Sequence, residues 1–305
     1  MGQQGQALKV LISLSPLDKF AARRYMPAMR DATPSGLPFM KMHGLGNDFV
    51  VVDARAGGVT LTPQMAKGIG HRQFGVGFDQ LAVITNGSAD AHLTFFNADG
   101  TTSAACGNAT RCIARYLMDE QDRSDLHLTT DRGDLAARDA GAGLTSVNMG
   151  HPQLDWSDVP LAYEMDTLEL PIEGAPSATG MGNPHCTFFV EDIDSIDLAV
   201  QGAAMEHHPL FPERTNVQFA KIIAENHIRM RVWERGVGIT LASGSSSCAT
   251  GVSAARRGLT GRTVQIDLDG GTIHIDWCED GVWMTGPTMH VASGVLTPAF
   301  LDSLT

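Results

Sequence analysis

The chain has 305 residues, 43% of them hydrophobic, and carries a formal net charge of −12 at pH 7. This length suggests about two domains, and the lack of an apolar run of about 18 residues argues against a membrane span. An acidic chain without a basic cluster is a poor partner for nucleic acid or anionic membranes. The five cysteines include no Cys-x-x-Cys pair and the eleven histidines show no metal-ligand spacing, so we expect a cytoplasmic protein without a metal.

Residues 1–36 differ in character from the rest of the chain. They contain a basic pair, Arg23-Arg24, and end in Pro34-Ser35-Gly36, a run typical of a linker. They lack the order of charge, apolar core and small-residue cleavage site that marks a signal peptide. We therefore predict a disordered extension, or the translation of an upstream start codon, with the folded part beginning near Leu37.

After this extension, short apolar segments alternate with helical stretches. One helix is predicted directly after Cys106-Gly107-Asn108, and a second helix after Gly244. Strands are predicted at residues 49–52, 81–84, 93–96, 126–130, 146–149, 186–190, 217–223, 228–233, 264–268, 272–277 and 282–285.

Many short strands with one central helix in each half predict an α+β fold. We expect two pseudo-symmetric domains, each a curled, mostly antiparallel sheet around its central helix. The N-terminal domain is placed at residues 37–152 and the C-terminal domain at residues 153–287, with the segment 288–305 returning to the first domain.

The two halves contain a near-repeat in which one half has a cysteine and the other a serine. Asn97 is followed nine residues later by Cys106, and Glu234 is followed nine residues later by Ser243. A second pair of segments runs in step with the first, because Gly46-Asn47 and Gly182-Asn183 each open an apolar run. The repeat indicates a duplicated unit with one nucleophile loop in each half.

A cysteine directly before a helix lies close to the unpaired N–H groups of the first turn. These groups and the helix dipole lower the pKa of a thiol, and they can hold a substrate carboxylate. Two such loops on opposite sides of one α-carbon suit a two-base racemase, in which one thiolate removes a proton and the other thiol delivers one. Taken alone, Cys106 is more simply a small buried hydrophobic residue. The helix, the Gly-Asn successor and the duplicated loop favour catalysis.

Several segments of the chain, from Phe39 to about Val291, resemble the diaminopimelate epimerase family. The resemblance implies a PLP-independent, cofactor-free isomerase with two catalytic cysteines and two pseudo-symmetric domains, usually a homodimer. It implies the interconversion of LL- and meso-2,6-diaminopimelate in lysine and peptidoglycan biosynthesis. The segments are KMHGLGNDFVVVDAR (41–55), FFNADGTTSAACGNATRC (95–112), GNPH (182–185), TNV (215–217) and ERGVGITLASG (234–244).

The resemblance also implies roles for individual residues. Cys106 matches the first catalytic cysteine, and Ser243 stands at the position of the second. The amides at the two helix starts, at Gly107 and Asn108 and at Gly244 and Ser245, would hold the reacting carboxylate. Arg235 can hold the distal carboxylate in a bidentate fork. The substrate-binding set comprises Asn47, Gln80, Asn97, Asn183, His185, Asn216, Glu234 and Arg235.

Ser243 is the departure from the family pattern. A serine hydroxyl is a far weaker acid than a thiol, so losing the second base should remove much of a general-base contribution of about 10²–10⁴-fold. Cys248, five residues further on, is expected to point from the helix into the core. Ser243 is either an engineered replacement or a natural divergence, and the neighbouring Ser246-Ser247 slightly favours divergence.

Two alternatives to an active epimerase follow from Ser243. The related proline racemase family includes one-cysteine dehydratases that act on hydroxyproline, but these enzymes bind a compact ring and need no distal arginine. The pair Glu234-Arg235 and the asparagine set therefore argue against a hydroxyproline enzyme. The second alternative is a catalytically silent paralogue that only binds diaminopimelate.

Overall fold

The computed structural model describes residues 35–305, so the predicted extension at residues 1–36 lies almost entirely outside the described residues. The elements of the first half are β1 (Leu37–Gly44), β2 (Asn47–Asp53), α1 (Pro63–Gly70), β3 (Gln80–Thr85), β4 (Ala91–Asn97), β5 (Thr102–Ser103), α2 (Gly107–Gln121), β6 (Asp125–Thr130), β7 (Gly133–Gly141) and β8 (Leu144–Asn148).

The second half repeats this order and ends with one extra strand and a short helix. Its elements are β9 (Ser177–Gly180), β10 (Pro184–Phe189), α3 (Leu198–Glu206), β11 (Asn216–Ala224), β12 (His227–Glu234), β13 (Gly238–Thr240), α4 (Gly244–Arg256), β14 (Thr263–Leu268), β15 (Gly271–Cys278), β16 (Gly281–Pro287), β17 (Met289–Leu296) and α5 (Pro298–Asp302).

Each half is a curled sheet around one central helix. Helix α2 packs against β1, β2, β6, β7 and β8, and α4 packs against β9, β10, β11, β14, β15 and β16. The pairs β2–β3 and β4–β6 are parallel in the first half, and β10–β11 and β12–β14 are parallel in the second. Most other pairs are antiparallel, so each sheet is mixed but mainly antiparallel. The predicted α+β fold is therefore confirmed.

Two strand pairings tie the halves together. Strand β8 pairs antiparallel with β16, which joins the two sheets at their centre. Strand β17 crosses back from the second half and pairs antiparallel with β1, from Leu37 opposite Leu296 to His43 opposite Met289. The exact domain limits, at residues 152/153 and 287/288, stay a prediction.

The two central helices are buried for different reasons. Helix α2 presents an apolar face with Ala109, Ile113 and Leu117 fully buried, and it ends at Asp122, which adopts a left-handed conformation. Helix α4 is surrounded by strands, and small residues allow this close approach. Its buried hydroxyls find partners; for example, Ser253 Oγ lies 2.9 Å from Thr179 Oγ1. A buried hydroxyl without such a partner would be destabilising.

The strands and both central helices predicted from the apolar pattern are observed, with ends displaced by a few residues. Helices α1 and α3 were not predicted individually, although both carry capping signals. Thr62 caps α1 by accepting a hydrogen bond from the N–H of Met65, and Asp197 caps α3 by accepting from the N–H of Val200. Among the described residues, no helix combines the length and apolar character that crossing a bilayer requires.

Candidate active site

An open cleft of about 870 Å³ receives residues from both halves of the chain, and helices α2 and α4 both begin at its wall. Such a volume is typical of small-molecule sites. Thirteen of the fourteen predicted site residues line this cleft: Asn47, Gln80, Asn97, Cys106, Gly107, Asn108, Asn183, Asn216, Glu234, Arg235, Ser243, Gly244 and Ser245.

Cys106 is the N-cap residue of α2 and is partly exposed to the cleft. Its backbone is extended, so the helix begins directly after it. Burial raises the pKa of the Cys106 thiol; the nearby N–H groups of Ala109 and Asn108 act in the opposite direction, and the charge of Glu234 adds to the increase. Burial therefore outweighs the lowering expected at a helix start and favours the protonated thiol, which is the form that can deliver a proton.

Ser243 occupies the matching position in the second half, as the N-cap residue of α4. Its side chain does not cap the helix. Instead, Ser243 Oγ donates a 2.9 Å hydrogen bond to Glu234 Oε2, and Thr240 Oγ1 donates a 2.6 Å hydrogen bond to Glu234 Oε1. Burial raises the pKa of the Glu234 carboxyl, and the Asp79 charge adds to this increase, whereas the two hydroxyl donors oppose it.

Met284 of β16 packs against both helix starts. A methyl group added at Gly107 would lie 2.8 Å from Met149 Sδ and 2.9 Å from Met284 Cε, and one added at Gly244 would lie 2.8 Å from Met284 Sδ. Both methionines are buried. The glycines thus let the backbone N–H groups of the two helices approach the same region, as a site that holds one carboxylate between two helix starts requires.

Asn47 reaches the cleft because it follows a tight β-hairpin turn. Leu45 and Gly46 between β1 and β2 both have positive φ angles, of 56° and 87°, which is the geometry of a two-residue hairpin. Asn47 Oδ1 accepts a 3.2 Å hydrogen bond from Asn108 Nδ2, and Asn47 Nδ2 donates a 3.0 Å hydrogen bond to Asp79 Oδ2. Asn47 therefore connects the first helix start with the carboxylate of Asp79.

The cross-strand pairs beside the cleft follow the duplication. Gln80 on β3 lies opposite Asn97 on β4, and Gln80 Nε2 donates a 3.0 Å hydrogen bond to Asn97 Oδ1. In the second half, Asn216 Oδ1 accepts a 3.0 Å hydrogen bond from the backbone N–H of Arg235. Each half thus places polar amide side chains at the strand ends that face the cleft.

His185 is the one predicted site residue that does not line the cleft. Its side chain is fully buried, and burial lowers its pKa to about 3, so the imidazole is neutral. Nε2 lies 2.9 Å from Asn183 Oδ1, and Nδ1 lies 3.1 Å from Gln218 Nε2. Since the amide nitrogen of Gln218 can only donate, Nδ1 accepts and Nε2–H donates. His185 therefore orients Asn183 from behind.

Two arginines, Arg132 and Arg235, line the cleft. Arg235 Nη1 donates a 3.0 Å hydrogen bond to the backbone oxygen of Glu213. Arg132 packs its guanidinium against Gly182, where an added methyl group would lie 2.3 Å from the guanidinium carbon, and burial lowers its pKa. Sequence reasoning missed Arg132, which lies in a turn between β6 and β7.

The charges that line the cleft are balanced. Sequence reasoning also missed Arg72 and Asp79, whose mutual hydrogen bond of 2.7 Å couples two parts of the first half. A balanced lining suits a zwitterion with charges of both signs at both ends. The charged lining residues are Arg72, Arg132, Arg235, Asp79, Asp99 and Glu234. Within residues 35–305, no group of His, Cys, Asp and Glu side chains is arranged to hold a metal ion.

Comparison with known proteins decides the family. The family model described as diaminopimelate epimerase matches residues 39–154 and 177–291. The chain belongs to this family. Two of its most similar curated relatives are diaminopimelate epimerases from Rhodospirillum centenum and Acidiphilium cryptum, each 49% identical over 271 residues. The alignments cover 86% and 87% of this chain, and 93% and 98% of the relatives.

Solved structures with the same fold are far more distant in sequence. A phenazine biosynthesis protein of the PhzF family from Bacillus anthracis is 14% identical, with a TM-score of 0.61 over 86% of this chain and 99% of the other. A hydroxyproline epimerase from Agrobacterium vitis is also 14% identical, with a TM-score of 0.60 over 87% of this chain and 94% of the other. At such identities the likeness shows the fold of this epimerase-family chain and nothing about its substrate.

Replacing Asp79 by alanine is expected to raise the KM for the substrate about threefold to tenfold, because Asn47 loses a hydrogen bond worth about 0.5–1.5 kcal/mol. The melting temperature should change little, since exposed ion pairs such as Arg72–Asp79 contribute little to stability. Steady-state kinetics and thermal melts test this. Glu120→Ala, which removes an exposed partner of Arg55 away from the cleft, is the control. An unchanged KM would show that Asp79 does not orient Asn47.

Proposed function

We propose that the chain interconverts LL- and meso-2,6-diaminopimelate by proton transfer at one α-carbon, without a cofactor. The observation that carries this proposal is the placement of Cys106 and Ser243 at equivalent helix starts on one cleft, in a chain of the diaminopimelate epimerase family. The names of the curated relatives, about half identical over most of the chain, support the substrate.

The proposed roles divide the cleft into a reacting end and a distal end. At the reacting end, the amides of α2 and α4 hold the carboxylate, with Cys106 on one face of the α-carbon and Ser243 on the other. At the distal end, Arg235 holds the second carboxylate. The amide side chains supply neutral hydrogen bonds along the substrate: Asn47, Gln80, Asn97, Asn183 and Asn216. His185 acts through Asn183.

The charge of the lining favours diaminopimelate over a hydroxyproline enzyme. Diaminopimelate carries two carboxylates and two ammonium groups, and the cleft presents arginines and carboxylates in equal number. A compact ring has a single carboxylate, which the helix amides would hold, and leaves Arg235 without an anion. A buried charge without a partner is unfavourable, so the size and charge of the cleft support the longer substrate.

The setting of this activity is part of the proposal. A diaminopimelate epimerase supplies lysine and peptidoglycan synthesis, which are cytoplasmic processes. All five cysteines are free, in keeping with a reducing compartment. We also propose a homodimer, on the resemblance to the family alone.

Proton NMR in D₂O with LL- and meso-diaminopimelate, in separate experiments, tests this function. We expect deuterium at the α-carbon and slow conversion of each isomer into the other. Proline and trans-4-hydroxyproline at the same concentration should show neither exchange nor conversion. Exchange with hydroxyproline but not with diaminopimelate would assign the chain to the ring-substrate enzymes. Tight diaminopimelate binding without exchange would identify the silent paralogue.

A further inference from the structure

The serine that replaces the second cysteine is hydrogen-bonded to a carboxylate. Ser243 Oγ donates to Glu234 Oε2 at 2.9 Å, and the other oxygen of Glu234 accepts from Thr240 at 2.6 Å. Both partners of the carboxylate are neutral hydroxyls, which leave its negative charge uncompensated by these contacts. Because the Ser243 hydroxyl proton is already directed at Glu234, the oxygen of Ser243 keeps a lone pair for another hydrogen.

We propose that Glu234 is the proton acceptor of the second half-site, and that the Ser243 hydroxyl relays the proton between the substrate α-carbon and the Glu234 carboxylate. This inference rests on the proposed epimerase function. It gives the chain two proton-transferring sides with one cysteine: Cys106 at the start of α2, and the Ser243–Glu234 pair at the start of α4.

The relay conserves protons and electron pairs in both directions. In one direction, the α-carbon–hydrogen bond breaks, its proton bonds to Ser243 Oγ, and the former hydroxyl proton passes to Glu234 Oε2. The electron pair left on the carbon takes a proton from the Cys106 thiol on the opposite face, which leaves a thiolate. In the other direction, the thiolate removes the proton while Glu234 returns its proton through Ser243.

Burial of the two proton-transferring groups favours the first of these directions. Burial raises the pKa of the Cys106 thiol, so the α2 side holds a proton. Burial also raises the pKa of the Glu234 carboxyl, which makes its carboxylate a stronger base than an ordinary glutamate. Since the Ser243 proton leaves as the substrate proton arrives, no free serine alkoxide is needed. A base positioned to accept the substrate proton is what general-base catalysis requires.

The same substitution in two backgrounds tests the relay. Glu234→Gln keeps a hydrogen-bond acceptor but removes the base. We expect kcat for epimerisation to fall at least about 100-fold in the serine protein. In the Ser243→Cys background, where a thiolate serves as the base, the loss should stay below about tenfold. Equal losses in both backgrounds would overturn the relay and assign Glu234 to binding or support.

Three further variants separate proton transfer from structure. Ser243→Ala should lose as much kcat as Glu234→Gln, and the double variant should lose no more than either alone. Thr272→Val, which removes a hydroxyl–carboxylate hydrogen bond to Asp267 outside the cleft, should retain the activity. Unimpaired Ser243→Ala would overturn the relay. KM and calorimetric affinity for diaminopimelate should change little in Ser243→Ala, since its hydroxyl is assigned to proton transfer.

The failure of the relay is distinguishable from the failure of the proposed function. If the Ser243→Cys variant epimerises diaminopimelate and the parent shows no exchange at the α-carbon, the relay is overturned and the family activity stands. If neither protein binds or converts diaminopimelate while both fold, the proposed function itself is wrong, and the relay falls with it.

Discussion

Replacing Ser243 by cysteine is expected to raise the rate of diaminopimelate epimerisation by about 100-fold or more. The side chain at this position starts helix α4, where N–H groups and the helix dipole stabilise a thiolate. A thiol is a stronger acid than a hydroxyl by several pKa units, so its thiolate forms far more readily than a serine alkoxide. The measurement is the initial rate of conversion in each direction, by NMR or a coupled assay.

Ser247→Cys is the matched control for this gain. Ser247 lies one turn further along α4, is fully buried, and donates a 2.8 Å hydrogen bond to the backbone oxygen of Ser243. A thiol there cannot reach the cleft, so the rate should not rise. A similar gain in both variants, or none in Ser243→Cys, would contradict the assignment of residue 243 as the second proton-transferring position.

The Ser243→Cys variant should also acquire an oxidant-sensitive crosslink to Cys106 when the cleft is empty and the helix starts approach. A disulfide requires Cα atoms about 4.4–6.8 Å apart, which the two loops reach only if they face one substrate carbon. Peptide mapping after mild oxidation, with and without diaminopimelate, identifies the bond. Mapping that links Cys106 only to Cys112 or Cys248 would contradict the face-to-face arrangement.

Replacing Arg235 by alanine is the second large effect that we expect. The guanidinium lines the cleft, where its present partner at Nη1 is the backbone oxygen of Glu213 at 3.0 Å. Truncating one partner of a buried, charged hydrogen-bonded pair weakens binding by about 2–5 kcal/mol. The affinity for diaminopimelate, measured by calorimetry, should therefore fall at least about tenfold.

Arg231→Ala is the control for Arg235→Ala. Arg231 lies on β12 and donates to the backbone oxygen of Ile196, away from the cleft. Its loss should leave diaminopimelate affinity unchanged. Equal affinities for the parent and Arg235→Ala would rule out the role proposed for Arg235 at the distal carboxylate.

Sequence patterns revealed the part of the site that is encoded locally. Cys106 and Ser243 each stand directly before a helix. Asn97 and Glu234, nine residues earlier in each half, indicated that the two loops are equivalent. The duplication is observed in the strands: β2 runs parallel to β3 and β10 parallel to β11, with the cleft residues at equivalent ends. Local spacing was therefore sufficient to predict the nucleophile loops and the helices that follow them.

Residues that act across the fold could not be found in this way. Met284, on a strand far along the chain, packs against both helix starts. Arg132, in a turn, packs against Gly182. Asp79 directly precedes the predicted site residue Gln80 in the sequence. Its hydrogen bond to Asn47, however, depends on the parallel pairing of β2 and β3. His185 carried a recognisable motif. Its burial follows from the covering of β10 on both faces, and Ser246 of α4 lies 3.4 Å from its Nδ1.

The return of β17 to β1 has a consequence for synthesis on the ribosome. One edge of β1 pairs with β2 soon after both emerge, but the other edge must wait for β17, about 250 residues later in the chain. At about 5–20 residues per second, this edge stays open for roughly 10–50 s. An open strand edge is a template for pairing with other chains. The nascent N-terminal half therefore exposes this edge to misassembly until β17 has been synthesised.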